Sequence, residues 1–180
     1  MKSSSVLDEV VLGYGPVFDQ RRQLSCLRLS VFPAGATLSS RDGEALWELL
    51  GQALAQAPQP RSELPRLWVS VASEVLLDGL LQAAQQAPNP VLVEVPAFLA
   101  AKRWPVLQSL ALAGQAFALS GEVPADLKSS GPAVFKWQCR GAQDGQSGQA
   151  LPTLPGSSLL GVGARWVRDL DTAFEQGAVA

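Results

Sequence analysis

Apolar and polar residues alternate along "LSCLRLSVF" (Leu24 to Phe32), and "DQRRQ" separates that run from the apolar "VVLGYGPVF" (Val10 to Phe18). That pattern predicts two strands joined by a hairpin turn. The period then changes. In "SRDGEALWELLGQALAQAP" the residues Leu46, Leu49, Leu50 and Leu54 recur at helical spacing, and Pro58 and Pro60 stop the run. "LWVSVA" (Leu67 to Ala72) alternates like a strand, and "SEVLLDGLLQAAQQAP" follows with Ser73 placed to cap a helix whose apolar face is Leu76, Leu77, Leu80 and Leu81. "VLVEV" (Val91 to Val95) predicts a strand holding one acid, and "RWPVLQSLALAG" a third helix with Gly114 at its C-terminal cap. "AFALS", "AVFKWQC" and "LLGVGA" read as further strands. The stretch 141–158, rich in Gly, Gln, Ser and Pro, reads as a long loop, and "WVRDLDTAFEQG" as a last helix with Val167, Leu170, Ala173 and Phe174 on one face.

Strands and helices taking turns imply an α/β fold with a mostly parallel sheet, because parallel neighbours need a crossover and the crossover is usually a helix. A barrel and an open doubly wound sheet both satisfy this order. The glycines do not favour a nucleotide-binding sheet: "GYG" at Gly13 opens no helix, "GVG" at Gly161 lacks a third glycine, and neither a GxGxxG nor a Walker sequence occurs.

Composition narrows the chemistry. With 180 residues, 47% of them hydrophobic, and a net charge of −2, the chain is expected to form one domain over 1–180, with 1–9 a flexible N-terminus. No apolar run is long enough for a membrane span and the polar start lacks a signal peptide's apolar stretch, so a cytoplasmic protein without a membrane partner is expected. Weak acidity and the lack of a basic cluster argue against nucleic acid. The chain has no histidine, which removes Ser-His-Asp and Cys-His catalysis and histidine metal sites. Cys26 and Cys139 lie in strand-like apolar surroundings and are expected to be small core residues.

The order of segments resembles the EAL domain, the (β/α)-barrel phosphodiesterase module of cyclic di-GMP signalling, in the version found ahead of HDOD domains. "GYGPVFDQRRQLSCLRLSVF" is similar to that family's opening hairpin and E-A-L-L-R strand, and "LWVSVASEVLLDGLL" to its F-V-N-V-S-x-E-L-L segment. "VLVEVPAFL" is similar to its V-x-L-E strand, "AFALSGEV" to A-L-D-D-F-G, "AVFKWQC" to I-I-K-I-D, and "LLGVGARWVRDLDTAFEQG" to the L-A-E-(G/K)-V-E-T segment with its following helix. The family's reaction needs divalent metal held by carboxylates and an asparagine, which activates a water against the phosphodiester. Carried over position by position, the resemblance puts Arg28 where the E-A-L glutamate stands, Ser70 at the asparagine, Ser120 and Gly121 at the paired aspartates, and Val162 and Arg165 at the last two glutamates. Only Glu94 and Lys136 keep the family's residue.

Arg28 then marks a lost metal site, because a fixed cation repels a divalent ion by on the order of several kcal/mol even at an effective dielectric near 20. Glu94 and Lys136 are expected to survive by pairing with each other or with Arg28, since a buried charge needs a partner. A (β/α)₈ barrel takes about 250 residues, and Ala180 falls before the family's final strand, so either the protein continues or self-association covers the gap. The expectation is a catalytically inactive EAL-like barrel with no cofactor, acting through a protein partner or a homodimer, with Trp47 and Trp104 as interface candidates. The alternatives are a receptor that binds cyclic di-GMP without cleaving it, with Trp68, Trp137 and Trp166 as stacking candidates, and an enzyme of different chemistry on the same scaffold.

Overall fold

A computed structural model describes residues 6–18, 21–35, 38–56, 67–121, 134–141 and 158–162. The alternating segments form seven strands: β1 (Val10–Phe18), β2 (Leu24–Pro33), β3 (Leu67–Val71), β4 (Val91–Pro96), β5 (Ala116–Ser120), β6 (Phe135–Gly141) and β7 (Ser158–Val162). They make one sheet and lie in it in chain order. β1 and β2 pair antiparallel as a hairpin, with Arg22 in the turn at a positive φ of 58°, and every later neighbour is parallel. A doubly wound sheet reverses its strand order at a switch point, and this one does not.

The helices are α1 (Ser40–Gln56), α2 (Glu74–Gln86), α3 (Ala97–Ala100) and α4 (Trp104–Leu112). Their ends follow from local chemistry. The Asp42 carboxylate accepts from the Ser39 N–H and hydroxyl, each at 2.8 Å, at the start of α1. Ser73 caps α2 by accepting from the Leu76 N–H at 3.4 Å. Gly114 ends α4 with a φ of +95°, and the next N–H, of Gln115, returns to the Leu110 carbonyl at 2.9 Å. α1 and α2 touch through backbone: an added methyl at Gly79 would overlap the Ser40 carbonyl, and one at Gly43 the Leu76 carbonyl.

Each face of the sheet is buried differently. On the outer face Val31, Val69, Val93, Phe117, Leu119 and Phe135 pack with Leu46 and Leu50 of α1, Leu76, Leu77 and Leu80 of α2, and Leu107 and Leu110 of α4. Fully burying one such side chain is worth roughly 1.5–3 kcal/mol. The inner face forms a separate cluster, which among the described residues consists of Val17, Cys26, Trp68, Leu92, Ala118, Cys139 and Leu160, one residue from each of the seven strands and none from a helix. β4 is accordingly buried along Val91–Val95 without alternation, as strands covered on both sides are.

Between β5 and β6 the register slips: Phe117 pairs with Phe135 but Ala118 pairs with Trp137, leaving Lys136 as an extra residue in a bulge.

Several expectations change. Within the stretch expected to be a flexible terminus, Val6–Asp8 form a 3-10 turn and Val6 is buried in the outer core. Trp47 is not an interface residue: it is 2% exposed, and its indole N–H donates to the Ala87 carbonyl at 2.8 Å. Trp104 is half-buried and leans on Phe135, with ring centroids 6.2 Å apart. α3 had no forecast, being a single turn directly after β4. Gly141 and Ser158, taken as loop ends, close β6 and open β7, while 142–157 and the helix forecast after β7 lie outside the described residues. Both cysteines are buried and free, as their surroundings imply. Among the described residues no helix is long and apolar enough to cross a membrane.

Candidate functional site

Parallel partners in register share a face, so the ladder identifies what meets on the inner face. Arg28 is in register with Trp68, Ser30 with Ser70, and Ser70 with Glu94, which in turn faces Ala118. The inner face is therefore apolar near the start of the strands and polar toward their C-terminal ends. Glu94 is the only acid in any of the seven strands.

Arg28 reaches across β3 to that acid. Its Nε donates to Glu94 Oε2 at 3.2 Å and its Nη2 to the same oxygen at 2.8 Å. The guanidinium carbon also lies 4.8 Å from the ring centroid of Trp68, over the indole face, where the ring's negative quadrupole attracts a cation. The Glu94 side chain is 10% exposed and that of Arg28 30%. A carboxylate that dry requires its counter-charge, whereas the arginine keeps some contact with water. The pairing of Glu94 with Arg28 is present, and that with Lys136, whose side chain is outside the described residues, is not tested.

Cys139 feels the pair. Burial pushes its thiol well above the ordinary range, the negative charge of Glu94 raises it further, and the positive charge of Arg28 works the other way. Cys26, on the same face, is pushed up to about 12 by burial. Neither is a thiolate at neutral pH, and the thiolate is the nucleophilic form.

The other residues singled out in the sequence are spread along the strand ends. Ser70 stands beside Glu94 in the ladder, and Ser120 closes β5 beside Pro96 and Cys139. Gly121 has a φ of +91°, so this turn favours glycine for its backbone. Lys136 lies in β6 and Val162 ends β7, with side chains outside the description, and Arg165 lies outside the described residues. Among the stacking candidates, Trp68 is fully buried, Trp137 packs half-buried against the inner cluster, and Trp166 is outside the described residues. Trp68 Nε1 is buried with no hydrogen-bond partner among the described residues. Sequence reading missed the contact of Arg28 with Trp68, which register alone reveals. Among the described residues no three His, Cys, Asp or Glu side chains converge as metal ligands do.

What the arrangement does chemically is to hold one carboxylate against one guanidinium on an aromatic floor. It ties β2 to β4 across β3. A scan against protein-family models finds no match, and a search of curated proteins finds no similar sequence.

Proposed function

We propose that the chain is an EAL-like barrel without catalytic activity that works by binding a protein partner or a second copy of itself. The observation that carries this reading is the commitment of Glu94, the retained family acid, to Arg28 at 2.8 Å. A guanidinium stands where the family's divalent cation would need carboxylates, and the strands supply no second acid to compete for that cation. The barrel itself is supported by seven strands in chain order and by an inner cluster to which each strand contributes one residue.

The test is incubation of the purified protein with cyclic di-GMP and magnesium or manganese. The expected outcome is no linear dinucleotide product and no calorimetric binding tighter than about 10 µM, a free energy near −7 kcal/mol. Metal-dependent product that disappears in Glu94→Ala would defeat the reading. Tight binding without turnover would replace it with a receptor.

A further inference from the structure

We draw no further inference here: the strongest candidate, the exposed apolar patch of Leu12, Tyr14 and Leu27 on the outer face of the β1–β2 hairpin, carries nothing, because nothing in the structure shows what covers it.

Discussion

Among the described residues Arg103 has two carboxylate partners and Arg28 has one, yet the pair with fewer bonds holds the drier acid. Arg103 donates from Nε to Asp78 Oδ1 at 2.7 Å, from Nη2 to Asp78 Oδ2 at 2.6 Å, and from Nη2 to Glu74 at 3.0 Å, joining α2 to the start of α4. Its hydrogen bond to Asp78 is the leading cause that raises its own pKa. But the Asp78 and Glu74 side chains are 40% and 45% exposed, against 10% for Glu94. Water solvates the first two carboxylates whether or not arginine is present. Glu94 has little water to fall back on. Burial of the acid, rather than the number of bonds, sets what each arginine is worth.

Removing the counter-charge should therefore separate the two sites most clearly. Arg28→Ala is expected to destabilise by about 3 kcal/mol, because it strands a buried carboxylate, and a urea melt at neutral pH measures it. Glu94→Ala is expected to cost less, about 1 kcal/mol, since the orphaned Arg28 can turn toward solvent; equal losses in the two variants would contradict the asymmetry. Arg103→Ala is expected to cost about 0.5–1 kcal/mol and to lose part of that effect in molar salt, which screens exposed pairs. The double variant Arg28→Met/Glu94→Leu is expected to lie within about 1 kcal/mol of the parent chain, because apolar groups of similar volume replace a buried pair without stranding either charge.

The finest contrast is read on a thiol. Glu94 raises the Cys139 pKa and Arg28 lowers it, and alkylation requires the thiolate. Relative to the parent chain at mildly alkaline pH, Cys139 should react faster in Glu94→Ala and slower in Arg28→Ala. A change in the same direction in both variants would mean that loosening of the fold, not charge, controls the thiol.

Much of the fold could be read from spacing alone. The hairpin, the Ser73 cap, the Leu76, Leu77, Leu80 and Leu81 face and the burial of both cysteines depend on neighbours in sequence, where periodicity is informative. Trp47 could not be placed that way. It sits among leucines on an amphipathic helix, and what settles its side is a carbonyl 40 residues away, at Ala87. The pairing of Glu94 was legible only as a choice between two cations, since selecting Arg28 depends on two rows of a ladder 66 residues apart in the chain. Nor did local pattern distinguish chain-order strands from a doubly wound sheet, because the same crossovers serve both.

The bulge at Lys136 makes β6 a strand with a change of phase. Counted by simple alternation, Phe135, Trp137 and Cys139 would all point the same way. Instead Phe135 belongs to the outer core and Cys139 to the inner cluster, with Trp137 beside it. The two halves of β6 are thus in different frames, and one residue does the shifting. Deleting Lys136 would make Phe135 and Trp137 neighbours, and plain alternation would then send them to the two faces they already occupy, so a strand shortened by one residue would lose its bulge and keep both halves packed.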